Sequence, residues 1–333
     1  MAGVATGVGS LPGDDVDRAL ALVFDELPDL PHLPELPARG PGADMIGRTA
    51  TQLDGLAVDL QPSGWRLQPR PGLDVERGRV MLARDLDALL PVAGPGYDGW
   101  LKLQLAGPWT LAAALELPRG NPAISDAGAV RDLVAALCGT VRDHLIQVRR
   151  RVPGARLVLQ FDEPGLPGVL AGRIPTASGL GRVRATEASD VEAALRDVVE
   201  AAGDVPVAIH CCHAEAPLQL LQAAGATAVG IDLLSGRPDY DALGELVEAE
   251  VALWLGAVPG LGPGSAPAPR EVAEPVRRLW RELGFAAERL PDVVALTPSC
   301  GLAGASEGWA HSAYRILRQA MAALTEAPEG VSR

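Results

Sequence analysis

Short apolar runs of strand length alternate along the chain with longer segments of helical periodicity, and this pattern continues to the last residues. The runs predict strands at Ala5–Leu11, His32–Leu36, Leu101–Leu105, Leu157–Phe161, Val205–Cys212, Ala228–Leu233, Ala252–Val258 and Val293–Pro298. Between them the spacing predicts helices at Asp15–Leu27, Ala43–Val58, Ala127–Arg151, Glu187–Ala202, Ala216–Ala224, Tyr240–Glu250, Arg270–Leu283 and Trp309–Ala323, most opening beside Asp, Ser or Pro. Strands that regularly alternate with helices imply a parallel sheet, and eight such units imply a (β/α)8 TIM barrel. We therefore expect one α/β domain over residues 1–333. The Pro/Gly-rich stretch Pro62–Gly72 and the residues to about Gly99 break the rhythm and read as an elaborated loop region around 60–99, with a helix near Leu82–Leu90. An open doubly wound sheet would want a glycine-rich phosphate loop after its first strand, and Gly7-Val8-Gly9-Ser10 does not supply one.

Composition sharpens the picture in three places. Aromatic residues are only 4% of the 333, so the core must be built from Ala, Leu and Val, which suits short helices packed on buried strands. A net charge of −13, with no basic run longer than Arg149-Arg150-Arg151, excludes the footprint of a nucleic-acid binder. The opening residues lack a basic and apolar leader and no apolar stretch reaches spanning length, so a cytoplasmic protein without a membrane partner is expected. In that reducing setting the four cysteines, Cys138, Cys211, Cys212 and Cys300, read as thiols or metal ligands rather than a disulfide framework.

In a barrel the chemistry sits at the carboxyl ends of the strands, and here those ends are polar. They carry Gly9-Ser10, Gly107-Pro108-Trp109, Asp162-Glu163-Pro164, His210-Cys211-Cys212-His213, Asp232 and Ser299-Cys300-Gly301. His210 and Cys212 are two apart on one strand and face the same way, while Cys211 faces the other. With Cys300 and a carboxylate such as Asp232 they make a donor set of the softness zinc prefers; the competing reading is that free cysteines are simply small buried residues, and it applies with most force to Cys138 and Cys211. His213 is either a competing ligand or a loop histidine. Of the adjacent pair Asp162 and Glu163 only one can face the pocket, where a carboxylate would hold a substrate ammonium or act as a base. The other would pair with an arginine or cap a turn. Ser10 reads as a pocket hydroxyl or a helix cap. Lys102 is the only lysine and hence the only Schiff-base candidate, though a strand lysine more often pairs with a carboxylate.

At these residues the chain resembles the catalytic barrel of the cobalamin-independent methionine synthases, in its short single-barrel form. The resemblance is carried by Val8-Gly9-Ser10-Leu11-Pro12, Asp44-Met45, Lys102 through Gly107-Pro108-Trp109-Thr110, Gln160-Phe161-Asp162-Glu163-Pro164, His210-Cys211-Cys212 and Pro298-Ser299-Cys300-Gly301-Leu302, with His-x-Cys and Cys-Gly-Leu the specific elements. It implies a zinc ion held by His210, Cys212, Asp232 and Cys300, and a homocysteine whose ammonium meets Asp162, whose carboxylate meets Gly9 and Ser10, and whose pocket includes Met45. The implied activity is transfer of a methyl group to the homocysteine thiol to form methionine, from methyltetrahydrofolate or a methylcorrinoid protein. Three departures stand against the family pattern: Asp232 replaces a glutamate, Leu255–Gly260 lacks the seventh-strand histidine used as an acid, and Ala38-Arg39-Gly40 replaces a Gly-Glu carboxylate. These departures motivate an alternative, a degenerate relative that binds zinc or a thiol without turnover. A uroporphyrinogen-decarboxylase-like barrel is a further alternative, opposed by the negative charge and the Cys/His ring.

Overall fold

The computed structural model describes residues 2–94, 96–236 and 239–330. Its centre is a six-stranded, all-parallel sheet in sequential order. After an antiparallel hairpin of β1 (Ala57–Gln61) and β2 (Gly64–Gln68), the sheet runs β3 (Trp100–Ala106), β4 (Arg156–Asp162), β5 (Val207–Cys211), β6 (Ala228–Asp232), β7 (Ala252–Val258) and β8 (Val294–Pro298). Every strand of the sheet is buried along nearly its whole length, as expected of strands covered on both faces. The helices between and after them include Pro108–Ala114, Ala127–Arg151, Ala188–Glu200, Pro269–Leu283 and, following β8, Glu307–Glu326, which pack their apolar faces onto the outside of the sheet.

The first two expected strands are not regular strands. Residues 3–6 are tied to β8 by Gly3 N to Val294 O at 2.8 Å, Thr6 N to Leu296 O at 2.9 Å and an Ala5–Leu296 bridge. Residues 31–33 are tied to β3 by Leu33 N to Lys102 O and Lys102 N to Pro31 O, and the two segments meet at a Ser10–Glu35 bridge. They thus lie across the gap between β8 and β3. The reason for their irregularity is local: Pro31, Pro34 and Pro37 cannot donate to a ladder, and Gly7 lets His32 and Tyr314 approach to where a β-carbon would stand 2.3 Å from each.

The expected helix over 43–58 is also shorter, spanning Met45–Ala50 with its amino end capped by Asp44 onto the Gly47 N–H. The elaborated region contains the β1–β2 hairpin and helices at Leu73–Asp87 and Leu89–Ala93. A buried ion pair anchors it, Asp85 taking both Arg39 and Arg48.

Inside the sheet the side chains stack in layers. A small apolar cluster of Leu30, Val158, Ala208, Ala228, Ala252, Trp254 and Ala295 closes the end at which the strands begin. One step further along the strands the interior turns polar, with Lys102, Gln104 and Gln160 all buried, and beyond them lie Asp162 and His210.

Candidate functional site

Strand parity brings part of the expected set together, His210 with Asp162 and Cys212 with Cys300. His210 projects inward from β5, over Gly230 of β6, where an added β-carbon would stand 3.1 Å from the imidazole Cδ2. Its Nδ1 lies 2.9 Å from Asp162 Oδ1, and its buried Nε2 meets no protein partner. Cys212 continues the same face, and its sulfur lies 3.3 Å from that of Cys300, which follows β8. The hydrogen bond between them, with burial, raises the Cys212 pKa, and the same hydrogen bond lowers that of Cys300. Cys211 points outward into the apolar core and is fully buried, and burial pushes its thiol up to about 12. Cys138 belongs to the same outer core, on the helix Ala127–Arg151.

Asp232 ends β6, half-buried; its Oδ1 accepts from the Leu234 N–H at 2.8 Å and burial raises its carboxyl, with His210 opposing. His213 is an exposed loop residue whose Nδ1 accepts from Glu215 N. Ser10 touches the eighth-strand loop, since a β-carbon on Gly301 would stand 2.0 Å from Ser10 Oγ, and Leu302 N donates to Ser10 O. Gly9 packs on the Gln104 side chain. Met45 opens the short helix after Asp44, half-buried at the margin of the core.

The donors differ in how closely they gather. Among the described residues no group of three or more His, Cys, Asp or Glu side chains stands tightly enough to hold a metal ion. The two sulfurs, at 3.3 Å, are closer than the roughly 3.8 Å that two thiolates adopt on one tetrahedral zinc at about 2.3 Å each.

The Asp-Glu pair divides as strand parity requires. Asp162 faces inward, its Oδ1 accepting from Gln160 Nε2 and from His210. Glu163 faces the frame and caps the helix Pro108–Ala114: its carboxylate accepts from Trp109 N at 2.9 Å, Thr110 N at 2.8 Å and Thr110 Oγ at 2.7 Å. Burial nonetheless raises its pKa to about 7 against those donors. Lys102 is sealed from solvent, and its ammonium donates to Val8 O, Gln104 Oε1 and Gln160 Oε1. Burial brings it down to about 8, opposed by Asp162 and Glu35. An enclosed, fully engaged amine is poorly placed for Schiff-base chemistry.

Sequence reasoning missed Glu35. It is buried at the end of the second segment, accepts no side-chain hydrogen bond among the described residues, and has its pKa raised to about 7 by burial, with Arg48 opposing and Asp162 adding to the rise. Its signal was present: it is the one charged residue in Leu33-Pro34-Glu35-Leu36-Pro37, at a strand end.

The molecule is an α/β protein with a histidine, two thiols and several carboxylates gathered where its parallel strands end, the position at which barrel enzymes place their chemistry. Residues 100–323 match the model of the family described as cobalamin-independent synthase, catalytic domain, and the chain belongs to that family. In fold it is similar to a B12-independent methionine synthase from Shewanella sp. W3-18-1 solved in complex with selenomethionine, at 13% identity and a TM-score of 0.67 over 98% of each chain. It is similar at 14% identity to GH5_18 from Streptomyces cattleya in complex with GlcNAc, over 97% of this chain and 79% of that one, with a TM-score of 0.45 that carries no argument. No curated protein matches the chain in sequence. No helix among the described residues is long and apolar enough to cross a membrane.

Proposed function

We propose that this chain is a cytoplasmic, zinc-dependent S-methyltransferase, folded as a single (β/α)8 domain over residues 1–333, that methylates homocysteine to give methionine. One observation carries the reading: His210, with a buried Nε2 free of protein partners, shares one strand face with Cys212, whose sulfur lies 3.3 Å from Cys300. A nitrogen and two sulfurs are the donor types that zinc takes, and the ion would have to draw them together, since among the described residues no three donors stand close enough as they are. His210, Cys212 and Cys300 would hold the ion, with Asp232 as the fourth ligand. Zinc in such a site lowers the pKa of a thiol and supplies it as the thiolate at neutral pH.

The chain's own residues then bind and orient the acceptor. Asp162 receives the ammonium, with Glu35 on the same rim as a second carboxylate in place of the Gly-Glu that the sequence lacks. The Gly9-Ser10 backbone and hydroxyl meet the acceptor's carboxylate, and Met45 lines its pocket. Holding the sulfur in line with the methyl group converts an encounter of two molecules into a single displacement. A sulfur–carbon bond forms as the bond from methyl to its carrier breaks, the carrier being a methylfolate or a methylcorrinoid protein. Leu255–Gly260 carries no histidine to protonate a folate nitrogen, which favours the corrinoid source.

The test is zinc content per chain on protein purified without chelator, beside Cys212→Ser and Cys300→Ser. About one zinc in the parent, lost in both variants, supports the site. No metal, and none after zinc is offered, overturns it. A second reading, a relative that binds zinc or thiol without turnover, is favoured by Asp232, whose Oδ1 is already taken by the Leu234 N–H. Methyl transfer to homocysteine from either donor class separates the two.

A further inference from the structure

Beneath His210 the hydrogen bonds form one continuous chain whose direction is set by a residue that has no acceptor. Lys102 can only donate, and it places one N–H on Gln160 Oε1 at 3.0 Å. The amide of Gln160 is thereby oriented: its oxygen faces Lys102, and its nitrogen donates to Val8 O at 2.8 Å and to Asp162 Oδ1 at 2.8 Å. Both are acceptors, so a flipped amide would set oxygen against oxygen at two points. Asp162 Oδ1, held there, is left to receive from His210 Nδ1 at 2.9 Å, and a carboxylate accepting that bond puts the ring proton on Nδ1. All four side chains are at least nine-tenths buried, so no solvent competes for these bonds. The chain ends at His210 Nε2, which carries the lone pair and faces no protein partner.

We propose that Gln160 is a positioning residue: clamped by Lys102 and the Val8 carbonyl, it holds Asp162 against His210 Nδ1 and so fixes the tautomer that leaves Nε2 free as a metal ligand. It touches neither metal nor substrate. Without its amide N–H, Asp162 would keep His210 as its only side-chain partner, and its carboxylate would be free to swing toward the open end of the strands. Outer partners of ligating histidines act in this way, and their loss weakens metal binding by about 10–100-fold. The proposal rests on the reading of His210 as a zinc ligand.

The test compares Gln160→Met with Gln104→Met on the full chain. The change is the same in both, and Gln104 is also a buried acceptor of the Lys102 ammonium, yet its amide N–H donates to Leu33 O rather than to Asp162. Zinc affinity is read by competition with a chromogenic chelator. The tautomer is read on metal-free protein from long-range proton–nitrogen spectra of labelled histidine, with the His210 signals assigned by their absence in His210→Asn. We expect zinc binding about 10–100-fold weaker and mixed His210 tautomers in Gln160→Met, with parental values for both in Gln104→Met. Parental affinity and a single Nδ1–H tautomer in Gln160→Met overturn the proposal, as does an equal loss in both variants, which would mark a general cost of disturbing Lys102. If Gln160→Met does not fold, Gln160→Glu, which keeps an acceptor for Lys102 but lacks the amide N–H, takes its place. A parent chain that binds no zinc overturns the reading of the function, and the tautomer measurement then still decides whether Gln160 sets the ring.

Discussion

Glu163 offers the sharpest test of how the frame of the site is built. It is fully buried and accepts three hydrogen bonds, two of them from the backbone N–H groups of Trp109 and Thr110 in the first turn of the helix Pro108–Ala114. Those N–H groups have no partner within their own helix, and both residues are buried. In Glu163→Ala both are left unpaired, at about 1–3 kcal/mol each, while the Thr110 hydroxyl can rotate. The expected cost is therefore about 4 kcal/mol, which for a chain of this length lowers the Tm by on the order of 6 °C. In Glu163→Gln the side-chain oxygen still serves Trp109, but the amide NH2 now faces the Thr110 N–H and leaves that one group unpaired. The expected cost is about 1–2 kcal/mol. The assay is urea unfolding at pH 4.5, well below the folded Glu163 pKa of about 7, where the linkage from that raised pKa adds less than about 1 kcal/mol; it is followed by circular dichroism, with thermal melts alongside. A loss below about 1 kcal/mol in the alanine variant, or equal losses in both variants, would refute the reasoning, because accepted hydrogen bonds would then not be what Glu163 contributes.

Three further outcomes follow from the buried charges. Burial raises the Glu35 pKa to about 7 from its ordinary value near 4.5, so the folded state holds its proton longer than the unfolded chain and stability falls as pH rises across that window. Relative to the parent, Glu35→Gln should gain about 3 kcal/mol between pH 4.5 and pH 8, and a constant difference across that range would contradict it. His144 titrates in the opposite sense: buried, with neither ring nitrogen meeting a protein partner, its pKa is lowered to about 3, so its contribution is lost as pH falls below about 6.5. His144→Phe should gain about 2 kcal/mol on the parent between pH 7 and pH 5, measured by denaturant unfolding at each pH. Borohydride reduction in the presence of a carbonyl compound should leave Lys102 unlabelled by peptide mass mapping, and a trapped adduct there would show that the sealed amine opens.

The sheet was legible where its strands obey two simple rules. From Leu101 onward each apolar run became a strand within about two residues of the expected bounds, because strands covered on both faces leave an unbroken hydrophobic signal. The first two runs carried the same signal, but Pro31, Pro34 and Pro37 and the crowding at Gly7 reduce them to isolated bridges. The β1–β2 hairpin was hidden for a related reason: Pro62 and Gly64 announce a turn, and the four apolar residues that alternate around it, Val58, Leu60, Trp65 and Leu67, are too few to outweigh it.

The candidate site was legible to the extent that parity governs it. Two residues apart, at the end of β5 and just past it, His210 and Cys212 share the inner face and Cys211 takes the outer one; adjacent at the end of β4 and just past it, Asp162 enters the interior and Glu163 leaves it. The same rule places Gln160 and Lys102 inside, and there parity says that two polar side chains are buried without saying why. Their purpose becomes visible only from contacts between different strands, since Lys102 of β3 reaches Gln160 of β4 and Gln160 reaches Asp162, which in turn meets His210 of β5. A buried polar group must find its partners within the fold, and the partners here lead from strand to strand toward His210 Nε2, which meets none. Glu35 escaped notice because its segment is not a regular strand, so no periodicity marked its inward direction. The residues that a single strand can orient were thus readable from the chain, and those oriented by a neighbouring strand or by an irregular segment required the assembled interior.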